Sequence, residues 1–143
     1  MKDGIKKRPA RATLPRTARI LKPSEFKRVF RKNASSQDGF FRIIARPSEG
    51  ETMRLGMAVS RKVDKKAVGR NRIKRVVRES FRSWRAESTG VCKNPLDIVV
   101  LAKPASAAMG NKRLFESLAD HWPRVEKMVD KRFTGEQKPE EQE

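Results

Sequence analysis

One cysteine, one histidine and no tyrosine occur in 143 residues. Cys92 alone cannot form an internal disulfide, and it reads as a single reduced thiol rather than a nucleophile. His121 falls on an expected last helix with no evident partner, so a packed or exposed histidine is expected there, not a general base. Acids are scarce, 17 against 35 lysines and arginines. In the most basic part of the chain Asp64 and Glu79 stand isolated among cations. No pair of acids there has metal-ligand spacing, so the carboxylate or histidine cluster of a self-contained nuclease is missing and no protein-bound metal is expected. The longest apolar run, Ile98–Ala102, is far too short to span a bilayer. The first twenty residues hold no apolar stretch, so no secretory signal is expected. Their basic, acid-poor composition resembles that of an organellar transit peptide, but Pro9 and Pro15 interrupt any amphipathic helix. The expectation is a cytoplasmic protein.

What the chain has in excess is positive charge. The net charge is +18 and the isoelectric point about 11.0. Charge of that size repels itself unless a polyanion is near, which makes nucleic acid the first partner to consider and an anionic membrane surface the second.

Residues 1–18 carry Lys2, Lys6, Lys7, Arg8, Arg11 and Arg16 with little apolar content and read as a disordered basic arm. Residues 134–143 read as a disordered acidic tail, leaving 19–133 as one folded domain. A short helix is expected over 24–31, with Ser24 as its cap. A loop follows at 33–39, then a strand at 40–46, a hairpin connection at 47–52 and a second strand at 53–60. A long basic helix covers 66–87 and is stopped by Ser88-Thr89-Gly90. Residues 97–103 read as a strand buried on both faces. A last helix at 111–132 lines up Leu114, Leu118, Trp122, Val125, Met128 and Val129, and Pro123 should kink or split it. The class is α+β, a two-layer sandwich in the order α-β-β-(β)-α-β-α.

The basic helix carries the argument. Wound at about 100° per residue, it puts Ile73, Val76, Val77, Ser80, Phe81 and Trp84 on one contiguous stripe, which must face the sheet. Asn71, Lys74, Arg75, Arg78, Arg82 and Arg85 form an opposite stripe, with Arg72 on its flank and Arg70 by the helix start. Residues 61–85 contain eleven basic and two acidic side chains, half of the chain's net charge. A solvated helix face usually mixes signs, because like charges at i,i+4 weaken the helix. Lys74–Arg78 and Arg78–Arg82 are such repulsive pairs, so a phosphate backbone is the expected partner. Membrane binding is disfavoured, since Phe81 and Trp84 lie on the core side. Arginine richness without zinc spacing, heptads or a three-helix pattern leans towards RNA.

Residues 54–82, RLGMAVSRKVDKKAVGRNRIKRVVRESFR, resemble the signature region of the bacterial ribonuclease P protein subunit, with Arg70-Asn71-Arg72-x-x-Arg75 at its centre. The resemblance continues through RILKPSEFKRVF (19–30) and LDIVVLAKP (96–104). It implies a left-handed βαβ crossover through the basic helix, against the usual hand. It implies a partner, the catalytic RNA of ribonuclease P in an expected one-to-one complex, which cleaves the 5′ leader from precursor tRNA. The resemblance further implies that the RNA and its Mg2+ ions do the chemistry, that the protein is expected to bind no cofactor of its own and to need no protein partner, and that it holds the leader, lowers the metal requirement and broadens the substrate range. By the same resemblance Arg70, Asn71, Arg72, Lys74, Arg75 and Arg78 contact the RNA subunit, and Arg82 extends that stripe. Phe26 and Phe30, at i and i+4, match the leader-groove aromatics, although two phenylalanines at that spacing are more often plain core. Phe41 and Ile43 could line the same groove. Many relatives carry a tyrosine on that strand, and this chain has none. Ser60, Arg61 and Lys62 would grip leader phosphates or the RNA subunit. Gly56 and Gly69 are expected to permit close packing or a loop entry. The competing reading is a general basic RNA-binding or ribosomal protein.

Overall fold

The computed structural model describes residue 20 and residues 23–48, 53–87 and 95–134. The basic arm, residues 135–143 of the acidic tail, the 88–90 helix stop and Cys92 lie outside the described residues. The elements are α1 (Pro23–Arg31), β1 (Ala34–Gln37), β2 (Phe41–Pro47), β3 (Arg54–Ala58), α2 (Ala67–Glu87), β4 (Leu96–Ala102), a 3-10 turn at Pro104–Ala108, α3 (Asn111–Val129) and a closing π turn at Asp130–Thr134.

The four strands form one sheet in the order β1-β2-β4-β3. β2 pairs antiparallel with β1 and with β4, while β3 pairs parallel with β4. The expected hairpin between the 40–46 and 53–60 strands is therefore corrected. β4 inserts between them, and α2 is the crossover that makes β3 and β4 parallel. The real hairpin is one strand earlier and contains β1, inside the stretch expected to be loop. Its turn is closed by Asp38, whose Oδ1 accepts the backbone N–H groups of Phe40 and Phe41 at 2.8 and 3.0 Å.

Alternation along the strands sorts the core. Phe41, Ile43 and Ala45 of β2 and Leu96, Ile98 and Val100 of β4 face α2 and α3 in the main cluster. Ile44 and Val99 face the other way and are covered by Ile20, Val29 and Phe26. The α+β body is the expected sandwich, and α1 adds a partial cover on the second face. β4 is buried on both sides from Leu96 to Val100, because it is central and has helices above and below.

α1 begins at Pro23, so Ser24 lies in its first turn rather than capping it. Proline suits that position, since its missing N–H has no intrahelical partner there. α3 runs unbroken through Pro123. Leu114, Leu118, Trp122, Val125 and Val129 are buried as expected, but Met128 is 36% exposed.

Candidate nucleic-acid interface

The apolar stripe of α2 packs as its periodicity predicts, with Ile73, Val76, Val77 and Phe81 at 2% exposure or less. Ser80 is buried in the middle of that stripe because its Oγ accepts the indole N–H of Trp122 at 2.8 Å. The outer stripe presents Asn71 and Arg75 exposed and Lys74, Arg78 and Arg82 half-buried. No acid occupies the first turn of α2, where the helix dipole favours negative charge. The acid nearest that end is Asp64, in the entry loop against Gly69.

Two of the motif arginines also hold the fold. Arg70 donates from one guanidinium nitrogen to the carbonyls of Asp64 and Lys65, at 3.0 and 2.9 Å, fixing the loop that enters α2. Arg72 donates to Asn111 Oδ1 at 2.7 Å and to the Ala107 carbonyl, tying α2 to the start of α3. Sequence spacing put Arg72 on the flank of the stripe but gave no sign of this partner. Asp64 accepts the Lys66 N–H at 2.9 Å and sits where any Cβ on Gly69 would collide with it. Gly69 is thus a packing requirement of the loop entry.

The second surface is the sheet face shared with α1. Register places Gln37, Arg42, Leu101 and Ala58 in one cross-strand row. The next row, Ser35, Ile44, Val99 and Gly56, is the one under α1. Phe26 lies so close over Gly56 that a Cβ there would come within 2.8 Å of its ring. Phe30, one turn on, is 48% exposed. Ser60, Arg61 and Lys62 are exposed on the loop leaving β3. Phe41 and Ile43 are corrected: both have 0% exposure and point to the helix-covered face, so neither can line a groove. Their neighbour Arg42 is exposed on the α1 side, a residue that strict strand alternation from a buried Phe41 could have found.

α1 is held on this face by Arg54. It donates to both carboxylate oxygens of Asp97, each at 2.9 Å, and to Glu25 on α1, also at 2.9 Å. The bonds to Asp97, then the one to Glu25, raise the guanidinium's pKa further above its ordinary value.

His121 has partners after all. It is 1% exposed, with Nδ1 2.8 Å from Ser36 Oγ and Nε2 3.3 Å from Asp38 Oδ2, the latter off line for a hydrogen bond. Burial pushes its pKa below 6.5 against the attraction of Asp38. Burial also opposes ionisation of Asp38, but the Ser117 hydroxyl and the Phe41 and Phe40 amides outweigh it and hold the carboxyl at about 2. The trio has the residue types of a hydrolytic triad and not its function. Ser36 is 4% exposed, its Oγ also faces Arg124 at 3.4 Å, and a nucleophile must reach substrate. The group docks α3 onto the β1–β2 hairpin. Among the described residues no three histidine, cysteine or acidic side chains gather as a metal site, and no helix is long and apolar enough to cross a membrane.

The family model for ribonuclease P matches residues 14–126. The chain belongs to the ribonuclease P protein family. The ribonuclease P protein component of Thioalkalivibrio sulfidiphilus is 38% identical over 111 residues, which cover 78% of this chain and 88% of that protein. The component from Methylococcus capsulatus is 41% identical over 108 residues, covering 76% and 80%. Among solved structures, the ribonuclease P protein of Staphylococcus aureus is 30% identical with a TM-score of 0.66, covering 78% of this chain and 97% of its own. The mixed α+β fold is thus that of ribonuclease P proteins, and the Arg70–Arg75 motif lies inside the matched region.

Proposed function

We propose that this chain acts as the protein subunit of a ribonucleoprotein endoribonuclease. It binds the catalytic RNA, one protein per RNA, through the outer stripe of α2, and holds the 5′ leader of precursor tRNA on the sheet face beside α1. The observation that carries the reading is α2 itself. One stripe is locked into the core, and the other gathers Lys74, Arg75, Arg78 and Arg82 around a single acid, Glu79. Such a surface is stabilised by neutralising phosphates. Mg2+ is held by the RNA, and the protein adds positive charge that lowers the ion concentration required. A generic basic RNA binder would need only the stripe. The exposed Phe30 on α1, together with the exposed Arg42 on the sheet face that α1 partly covers, favours a second site for single-stranded RNA, where a ring stacks on bases of any identity.

The test is cleavage of precursor tRNA at low Mg2+ by protein alone, ribonuclease P RNA alone, and both together. Cutting at the mature 5′ end by the mixture only supports the reading. Cutting by protein alone, or tight binding without any gain in cleavage, overturns it.

A further inference from the structure

α2 and α3 enclose a cleft of about 360 Å³ between their outer edges, within the roughly 300–1,000 Å³ range of small-ligand pockets. Glu79 and Ser83 line it from α2, Phe115 and Ala119 from α3. Trp84 and Trp122 form its aromatic wall, stacked at 5.6 Å and 15°. Arg82 belongs both to this wall and to the outer stripe of α2, and its Nε is buried with no hydrogen-bond partner. A buried donor without a partner costs stability, so the Arg82 side chain gains by rearranging towards an acceptor that enters the cleft.

We propose that the cleft receives one unpaired base of the RNA that lies along α2. This rests on the RNA-binding reading of that helix. The walls offer what a base needs: flat aromatic surface, a donor at Arg82, and acceptors at Glu79 and Ser83. A strand following the stripe passes the mouth of the cleft at Arg82. Glu79 is four residues from Arg75, an opposite-charge pair that supports the helix, and it also lines the cleft. At the cleft it accepts the N–H groups of a base edge. The face is not a leader site, because α1 and the leader row lie across the sheet from α2 and α3.

Ala119 and Ser83 are exposed on opposite walls, so Ala119→Leu and Ser83→Leu fill the cleft without disturbing the core, which thermal melting verifies. Affinity for ribonuclease P RNA is measured across a salt series for both variants and for Arg75→Ala. Loss of one stacked base predicts about tenfold weaker binding for each leucine variant, with the salt slope unchanged because no phosphate contact is lost. Arg75→Ala should weaken binding and flatten the slope. If Arg75→Ala weakens binding and both leucine variants match the parent, the cleft does not hold RNA and the proposal falls, leaving it to an occupant such as a protein side chain. A flatter slope for the leucine variants also overturns it. If Arg75→Ala has no effect either, the RNA reading of α2 fails and takes the proposal with it.

Discussion

Arg54 grips Asp97 with two parallel hydrogen bonds at 2.9 Å while a third reaches Glu25 on α1. Asp97 is 1% exposed and the Arg54 side chain 19%, so the pair is mostly out of water. Removing the arginine strands a buried carboxylate. Arg54→Ala should therefore destabilise the fold by about 3 kcal/mol, measured by urea unfolding. Arg54→Lys should recover only part, since an ammonium cannot reproduce the bidentate fork. Because the same residue holds α1, leader affinity should fall in both variants while RNA-subunit affinity changes less.

Acid should loosen the α3–hairpin joint in two stages. The folded protein holds His121 below its ordinary pKa of 6.5, so the unfolded chain takes up a proton first. Stability is complete above about pH 6.5 and declines as pH falls below it. Asp38 acts later: its carboxyl is held at about 2 rather than 3.8, so its contribution is lost between those values. Unfolding free energy measured from pH 8 to 5 should fall for the parent and stay nearly flat for His121→Gln. That variant should be less stable at pH 8 by about 1 kcal/mol for the lost Ser36 bond. An equal slope in the two proteins would mean another group titrates.

Phe26 and Phe30 share a helix face but not a role. Phe30→Ala removes an exposed ring, so melting should hardly move. Precursor tRNA binding should weaken by about 1–3 kcal/mol, with mature tRNA binding unchanged. Phe26→Ala should cost stability as well, because its ring fills the space above Gly56. Gly56→Ala should act on the same contact from the other side, displacing Phe26 and lowering leader affinity without touching a charged group. Loss of mature tRNA binding in Phe30→Ala would remove the leader role.

The helices and the central strand were legible because each writes its burial as a period. The α2 stripe, Ser80 included, and the apolar run Ile98–Ala102 of β4 are such cases. β1 was not legible. Ala-Ser-Ser-Gln has the composition of a loop, and it is a strand because Ser36 meets His121 and Ala34 is buried, contacts supplied by a helix some eighty residues away. Strand order failed for a similar reason. Two adjacent strands suggest a hairpin, and only the parallel register between β3 and β4 shows that a later strand separates them. At the site, the basic stripe was read from α2 alone. The groove was misassigned at Phe41 and Ile43 because alternation says which residues share a face, not which face is covered.

Arg72 and Arg75 separate structure from binding within one motif. Arg75 is exposed, so Arg75→Ala should leave melting nearly unchanged. It should weaken RNA-subunit binding and reduce the slope of log K against log salt by about 0.7–0.9, one phosphate's worth. Arg72 spends two of its guanidinium nitrogens on Asn111 and Ala107. Arg72→Ala should thus lose both affinity and stability, the latter by about 1–2 kcal/mol through the α2–α3 tie. Asn111→Ala removes the acceptor for the shorter of these bonds while leaving every cation in place. It should reproduce part of the stability loss with the salt slope intact. A melting loss in Arg75→Ala, or none in Arg72→Ala, would contradict this division of labour.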